Sequence, residues 1–250
     1  MIALNNYIKE AFKLTANTKI NVYNYLPKTK YDLNELIKKL IEDRGLDADL
    51  NDIDTSEITV MSELFFGSHF VGDISSWDVS NVTNMTDMFA GSTFNGDISQ
   101  WDVSNVTDMS SMFWNSNFNS DISNWNVSKV KDMCNMFAGS RFNRNISHWN
   151  VSNVEYMSSM FYASKFNGDI SKWDVSNVIT MEAMFGGSQF NRDISKWDVS
   201  NVKYMNNMFA YSKFNGDISG WNIGNVTRMH MMFADSPLKN QPEKQPKFNK

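Results

Sequence analysis

Residues 94–117 read FNGDISQWDVSNVTDMSSMFWNSN, and this stretch recurs with small changes along most of a 250-residue chain. Tryptophan marks the period, because seven of the eight tryptophans are spaced by 24 residues. They are Trp77, Trp101, Trp125, Trp149, Trp173, Trp197 and Trp221. Methionine and phenylalanine keep the same phase, which accounts for most of the 17 methionines and 18 phenylalanines. A fixed period of this length predicts an array of stacked structural repeats.

The apolar residues inside one repeat follow two spacings. Trp101 and Val103 are two residues apart, which is the alternation of a β-strand. Met109, Met112 and Phe113 follow the i, i+3, i+4 rule of a helical turn. We therefore expect one strand and one short helical turn in each repeat. The eight predicted core positions are Phe94, Ile98, Trp101, Val103, Val106, Met109, Met112 and Phe113.

One repeat is too small to fold by itself. Eight apolar side chains bury too little surface to offset the entropy lost in ordering 24 residues. Contact with neighbouring repeats must supply the difference, with equivalent strands paired in parallel about 4.8 Å apart. The predicted fold class is an α/β repeat solenoid similar to leucine-rich repeats. It would have a parallel sheet on one face, short helical turns on the other and an N-terminal helical cap.

The repeat divides the chain into three predicted regions. Residues 1–48 precede the repeats and form a helical cap region. Residues 49–236 form the solenoid, with one degenerate first rung, in which Ile53 replaces the tryptophan, and seven regular strand rungs. Residues 237–250 contain two further prolines and four lysines after the first proline, and a disordered tail is predicted there.

The region before the repeats carries helix signals. Residues 31–45, YDLNELIKKLIEDRG, have apolar side chains at helical spacing. Asp32 occupies the expected N-cap and Gly45 the expected end of this helix. Residues 4–15 are a second predicted helix, and residues 20–26 a short strand or extended link.

Composition and charge narrow the classes of partner. A formal charge of −5 argues against general attraction to nucleic acid or to an anionic membrane surface, because both require an excess of lysine and arginine. No run of about 20 apolar residues is present, so no membrane-spanning segment is predicted. The first fifteen residues lack the basic start and the cleavage site of a secretory signal, which leaves a cytoplasmic location open.

No group of residues predicts an enzyme, a metal site or a cofactor. His69, His148 and His230 lie in three different phases of the repeat, and no base is predicted beside Cys134. A row of aspartates invites a calcium site, but Asn145 interrupts the row, and Asx hydrogen bonds that cap turns are the favoured interpretation. The row contains Asp73, Asp97, Asp121, Asp169, Asp193 and Asp217.

The pattern FNGDISxWDVSNVTxMxxMF, over about residues 50–236, resembles the repeat of BspA-like leucine-rich-repeat surface proteins of bacteria and some protists. The resemblance implies a cell-surface or secreted protein that works in adhesion, without catalytic residues or cofactor. The expected function is therefore non-enzymatic binding of a host or cell-surface protein, with a glycan as the less favoured ligand. The alternatives are an intracellular effector or inhibitor that binds a specific protein, and a structural spacer.

One outward-facing row of the predicted sheet varies between repeats, so it is a candidate for binding specificity. In this row Lys172 and Lys196 each stand two residues before an aspartate, Asp174 or Asp198, on the same side of the strand. Charge compensation within the sheet is the simpler interpretation, and a polar binding face that includes His148 is the functional one. The row contains Ser76, Gln100, Asn124, His148, Lys172, Lys196 and Gly220.

A second candidate row alternates large and small side chains. Phe66, Trp114 and Tyr162 occupy one repeat position in every second repeat. Interdigitation of neighbouring turns explains such alternation most simply. An exposed aromatic binding strip is the other possibility, because aromatic side chains favour interfaces. Ala90, Ala138 and Gly186 fill the repeats between, and Tyr156, Tyr204 and Tyr211 are potential extensions of the strip.

Overall fold

The computed structural model describes residues 23–247. One α-helix, α1 (Lys30–Arg44), precedes the repeats, and two 3₁₀ helices, Pro237–Asn240 and Pro242–Lys244, follow them. Between 45 and 236 the described chain consists of turns joined by single parallel β-bridges, without a continuous strand. The helix predicted at 4–15 lies outside the described residues.

The helix predicted at 31–45 is confirmed as α1. Its N-cap is Thr29, not Asp32, because the Thr29 side chain accepts a hydrogen bond from the Asp32 backbone N–H. Gly45, at φ 96°, ends the helix and donates its N–H to the Ile41 carbonyl. The buried face of α1 covers the first repeat and consists of Leu33, Ile37 and Leu40.

Each repeat is a cycle of four β-turns that begin and end at the core, and a further turn, Ser111–Trp114 at 2.9 Å, links the third turn to the fourth. In residues 94–117 every turn is closed by a hydrogen bond from the N–H of residue i+3 to the carbonyl of residue i. The closing positions are buried and apolar except Ser116, which is buried but polar, and the two central residues form the corner of the turn. The turns run Ile98–Trp101, Val103–Val106, Met109–Met112 and Phe113–Ser116, with N–H···O distances of 3.2, 3.0, 3.2 and 3.3 Å.

The predicted helical turns are wrong, although the spacing on which they rested is real. In the third and fourth turns residue i+2 has a positive φ, 56° at Ser111 and 49° at Asn115, which is the signature of a type II turn and not of a helix. The central peptide of the third turn then lies across the turn. Its N–H, from Ser111, donates to Cys134 in the following repeat.

The predicted parallel sheet is also wrong. Successive repeats are in parallel register at an offset of 24 residues, but they share only isolated bridges, two in the first pair and one in each later pair, such as Asn84 with Asp108. The Ile98–Trp101 and Val103–Val106 turns interrupt the chain where a strand was expected. In this part of each repeat, hydrogen bonds from side chains join neighbouring repeats. The indole N–H of each stacking tryptophan reaches an isoleucine carbonyl 27 residues earlier, except Trp77, which reaches Leu50.

Backbone hydrogen bonds between repeats concentrate on the third and fourth turns. The alternate N–H groups of residues 109, 111, 113 and 115 donate to the following repeat at 2.7–3.0 Å. The N–H groups of Thr107 and Asn117 donate to the preceding repeat. This pattern satisfies backbone groups that burial would otherwise leave without a partner.

The predicted core positions are confirmed. All eight apolar residues of the 94–117 repeat are at most 4% exposed. Phenylalanine rings stack along the array, with 5.6 Å between the centroids of Phe89 and Phe113 and 6.4 Å between those of Phe94 and Phe118. The degenerate first rung is in phase, since Ile53 and Thr55 are buried and the Thr55 hydroxyl donates to the Asp78 carbonyl.

The chain after the last repeat is ordered as far as it is described, where the sequence predicted a disordered tail. Leu238 is fully buried in the first 3₁₀ helix. The N–H of Ile218 donates to the Lys244 carbonyl at 2.9 Å, which holds the second 3₁₀ helix against the final repeat. These contacts cover part of the end of the array.

Candidate functional site

The surface of the array consists largely of turn corners. Residues i and i+3 of these turns face the core, and most of the residues i+1 and i+2 lie at the surface, although in the fourth turn Ala90, Ala138 and Ala210 are buried. The corner of the first turn contains the variable row, exemplified by Gln100. The corner of the fourth turn contains the aromatic series, exemplified by Trp114.

The aromatic residues are exposed at their corners. The exposed fractions are 55% for Phe66, 45% for Trp114 and 49% for Tyr162. Tyr211 extends the series, because it is residue i+2 of the same turn two repeats after Tyr162 and is 61% exposed. We call these four residues the aromatic corner row. It occupies the first, third, fifth and seventh of the eight corners.

The intervening corners carry only small residues. These pairs are Ala90-Gly91, Ala138-Gly139 and Gly186-Gly187. Tyr162 leans over its small neighbour, since a Cβ added to Gly186 would lie 3.1 Å from the tyrosine ring. Packing and exposure are thus combined. One part of the tyrosine ring contacts the next repeat, and the other part faces solvent.

Tyr211 has an unusual backbone conformation for a large residue. Its φ is 57°, in the left-handed region where a side chain other than glycine costs about 1–2 kcal/mol. Four of the eight equivalent positions are glycine, among them Gly187 in the preceding repeat. The sequence indicated Tyr211 only as a potential extension, because its membership depends on the turn corner and not on the 24-residue spacing.

The first-turn corner brings together His148, Lys172 and Lys196. Each is exposed and is residue i+2 of a turn that ends at a buried tryptophan. A shallow polar depression of about 420 Å³ lies beside Lys196, lined also by Asp193 and Asp217. Within residues 23–247, no ion pair joins Lys172 or Lys196 to an aspartate.

Asp174 and Asp198 each accept hydrogen bonds from a serine two residues later in the chain. The Asp174 carboxylate accepts hydrogen bonds from the backbone N–H of Ser176, at 3.1 Å, and from its hydroxyl, at 2.7 Å. Asp198 accepts the corresponding backbone bond from Ser200, and the serine hydrogen bonds hold the pKa of Asp198 below its usual range. Direct pairing with the lysines therefore does not explain either aspartate.

The row of aspartates at the start of the first turn has the predicted Asx geometry. Asp121 accepts the Ser123 N–H at 2.9 Å, and Asn145 makes the same bond to Ser147 at 3.0 Å. The backbone N–H of Ser171 is the main cause of the lowered pKa of Asp169, and the charge of Lys172 acts in the same direction. Turn capping accounts for the row, and no calcium ion is needed to explain it.

Cys134 is held in its protonated form. The pKa of its thiol is raised to about 12, mainly by burial and in addition by the neighbouring Asp132. The thiolate, which is the nucleophilic form, is therefore scarce at neutral pH. Such a group does not favour covalent chemistry.

A basic position follows the fourth-turn corner. The residue three places after residue i+1 is an exposed arginine or lysine in the fourth, fifth and seventh repeats and His69 in the first. Three residues span at most about 10 Å of chain, so these charges lie beside the aromatic corner row. The basic residues are Arg141, Lys165 and Lys213. This position was missed in the sequence, because its charge appears in only some repeats.

The described residues include no helix that is long and apolar enough to cross a membrane. Searches of curated proteins and of solved structures give no match. A model of one repeat family matches the chain three times in tandem, at residues 32–141, 92–191 and 140–248. Together the three matches span residues 32–248, which include most of α1 and every repeat. The chain therefore belongs to the family described as "Mycoplasma protein of unknown function, DUF285".

Proposed function

We propose that this protein is a non-enzymatic binding protein that recognises a protein partner through the aromatic corner row and acts as an adhesin at the cell surface. The observation that carries the proposal is the exposure of Phe66, Trp114, Tyr162 and Tyr211 at alternate corners. Large aromatic side chains on a surface are typical of protein interfaces, where they supply much of the binding free energy.

The size of the row supports an interface. A buried aromatic side chain covers about 150–250 Å², so four rings that are half exposed present about 400 Å². This area is within the range of the largest apolar patch on a typical monomer, which is often functional. A standard interface buries about 800 Å² on each partner, so neighbouring polar residues would supply the remainder.

Two observations support a protein ligand at the surface of a cell. The net charge of −5 disfavours nucleic acid, because phosphate binding requires an excess of positive charge. The repeat resembles that of BspA-like surface proteins, and the matched family is one of Mycoplasma proteins. The surface location and the adhesive role are parts of the proposal.

Affinity capture tests the proposal. The purified chain is the bait, and a host-cell surface extract and a cytosolic lysate are probed separately. The test variant is Trp114→Ala, Tyr162→Ala, and the matched control is Lys172→Glu, Lys196→Glu, which changes the first-turn corner. We expect a surface protein that the aromatic variant loses and the lysine variant retains.

Each other outcome has a defined meaning. A partner lost only with the lysine variant would place binding at the variable row with His148. A specific cytosolic partner would favour an intracellular effector or inhibitor. No specific partner in either extract would contradict the proposed function and favour a structural spacer.

A further inference from the structure

We infer that the end of the array at the last repeat binds an acidic segment of a partner protein that also carries apolar side chains. We call residues 226–235 the open end. This site is separate from the aromatic corner row, and it does not depend on the proposed function. Three properties of the open end carry the inference, which are a row of backbone N–H groups without partners, exposed apolar side chains and positive charge.

The third and fourth turns of each repeat direct four backbone N–H groups at the next repeat. In the seventh repeat these groups donate to carbonyls of the eighth repeat at 2.7–2.9 Å. The equivalent groups of the eighth repeat have no hydrogen-bond partner within residues 23–247. They belong to Met229, Met231, Phe233 and Asp235. The open end therefore presents a row of free donors.

The free donors lie at the positive ends of four columns of peptide groups. Each peptide group in a column accepts a hydrogen bond from the preceding repeat and donates its own N–H to the following one. Aligned peptide dipoles add in this arrangement as they do along an α-helix, so partial positive charge collects at the free N–H groups. A ligand of this row must supply acceptors, and carboxylates form the stronger, charge-assisted hydrogen bonds.

Apolar side chains are exposed beside the free donors. Met229 is 36% exposed, whereas the equivalent Met205 is fully buried because the eighth repeat covers it. Met231 is 46% exposed at a corner that is polar or alanine in every other repeat. Its equivalents are Glu63, Asp87, Ser111, Asn135, Ser159, Ala183 and Asn207. Because the ends of a repeat array require a polar outer face for solubility, an apolar outer face favours a partner that covers it.

The open end belongs to the positive half of the molecule. Residues 45–128 contain 13 aspartates and glutamates but no lysine or arginine, whereas residues 129–247 contain 14 lysines and arginines and 10 acidic residues. Arg228 and His230 are exposed on the last repeat. None of the five ion pairs within residues 23–247 includes Arg228. This separation of charge directs an acidic ligand to the open end and away from the other half.

A second copy of the chain does not fit the open end. The open end of another copy would bring a second row of donors, so that donor would face donor. The opposite end of the array is closed by α1. There Met61 and Leu64 are at most 6% exposed, and the Lys30 ammonium of α1 donates to the Ser62 hydroxyl at 2.8 Å.

An ordinary β-strand is also a poor ligand for the row. The edge of a β-strand alternates N–H and carbonyl groups, so its own N–H groups would face the free donors. Carboxylate side chains carry two acceptor oxygens and no donor when ionised. An acidic segment thus satisfies the row without adding donors, and apolar residues between its carboxylates can contact Met229 and Met231.

Methionine methyl NMR reads out this site directly. Of the 16 methionines within residues 23–247, only Met229 and Met231 are exposed, so the buried methionines serve as internal controls. The probe is the synthetic peptide Asp-Leu-Asp-Leu-Asp, titrated at low salt, where charge attraction is least screened. An Asn-Leu-Asn-Leu-Asn peptide controls for charge, and an Asp-Ser-Asp-Ser-Asp peptide controls for the apolar contact.

We expect saturable shifts of the Met229 and Met231 methyl signals with the Asp-Leu peptide, at an affinity about tenfold or more above that of either control peptide. Met231→Ser introduces the residue that the third and fifth repeats have at this corner, and it should weaken binding about tenfold. Ser159→Met is the matched control. It adds the same side chain in the fifth repeat, where the N–H row is paired, and should create no second site.

Three results would overturn the inference. The first is the absence of a shift in both methyl signals up to about 1 mM of the Asp-Leu peptide. The second is equal affinity for the Asn-Leu peptide, or an affinity that Met231→Ser leaves unchanged. The third is self-association of the chain alone in sedimentation, lost in Met231→Ser, which would identify a second copy as the occupant.

Discussion

The buried and the exposed residues of the same turns recur at different intervals along the sequence. The buried ends of the turns repeat every 24 residues, as Trp125 and Trp149 do, and both are 3% exposed. The fourth-turn corners alternate between aromatic and small residues and so repeat every 48, as Trp114 and Tyr162 do. Stacking requires the first period. Packing contributes to the second period, because a Cβ on Gly186 would lie 3.1 Å from the Tyr162 ring, but packing does not explain why half of each ring stays exposed, which is the reason to seek function at the corners.

Replacing a tryptophan should lower stability strongly at a buried turn end and hardly at all at a corner. In Trp149→Ala the chain loses a buried ring that packs 6.3 Å from Phe137 and an indole N–H bond to the Ile122 carbonyl at 3.2 Å. We expect a loss of about 3–5 kcal/mol in the free energy of unfolding. Denaturant unfolding measures it.

The matched variant is Trp114→Ala at a corner, for which we expect a change below about 0.5 kcal/mol. Equal losses for Trp149→Ala and Trp114→Ala would mean that the exposed ring is structural. The distinction between buried ends and corners would then be lost.

Acid should destabilise the array through its turn caps. The pKa values of Asp121 and Asp169 are lowered in the folded state, mainly because a serine N–H donates to each carboxylate. A lowered folded pKa contributes stability above the unfolded value of about 3.9, and this stability is lost as pH falls through the folded value. We expect Tm to fall by roughly 10 °C between pH 7 and pH 3.

One turn of the same chain is capped by an asparagine and provides a control for the effect of pH on the aspartates. Asn145 caps its turn at 3.0 Å without a titrating group. Asp121→Asn and Asp169→Asn together should therefore reduce the dependence of Tm on pH while preserving the fold at pH 7. An unchanged pH dependence would show that these aspartates do not cause it.

The positive φ of the turns predicts a pair of opposite changes in one repeat. Ala183 has φ 52° and Gly187 has φ 64°. Ala183→Gly relieves the left-handed conformation and should stabilise the fold by about 0.5–1 kcal/mol. Gly187→Ala should destabilise it by about 1 kcal/mol, although the nearest atom to the new Cβ is 3.7 Å away. Thermal unfolding of both variants checks the signs, and two changes of the same sign would contradict type II turns.

The smallest effect is expected at the first-turn corner. Lys172 is exposed and makes no ion pair in the described chain, so Lys172→Ala should change the free energy of unfolding by less than about 0.5 kcal/mol. If chemical denaturation shows a larger loss in the free energy of unfolding, charge compensation is the better explanation of the variable row.

The sequence was sufficient to predict that the repeats stack and which residues form their core. It was not sufficient to predict the backbone conformation within each repeat. The period and the core residues could be predicted because identical side chains must meet their equivalents. The spacing of Met109 and Met112 was ambiguous, because three residues separate both neighbours on a helix and the two ends of a β-turn. The choice depends on the N–H of Ser111, which bonds to Cys134 in another repeat, and local sequence does not reveal that partner.

The candidate site could also be predicted only in part from the sequence. The alternation of Phe66, Trp114 and Tyr162 was visible as a pattern, but packing of neighbouring turns was its simplest interpretation and an exposed binding strip the alternative. Their exposure depends on how far each ring extends beyond the turn corner, because the alanines at the equivalent corners are buried. The membership of Tyr211 follows from the same geometry, since residues i+1 and i+2 share one corner.

The central claim is that the buried stack determines stability and the aromatic corner row determines binding. One variant, measured for both properties, tests this claim most directly. Phe66, Trp114, Tyr162 and Tyr211 are all replaced by alanine, and the Tm and the capture of the surface partner are measured on the same preparation. We expect a Tm within about 5 °C of the unchanged chain and loss of the partner. A collapse of Tm, or retention of the partner at full strength, would show that the stack and the binding site are not separate.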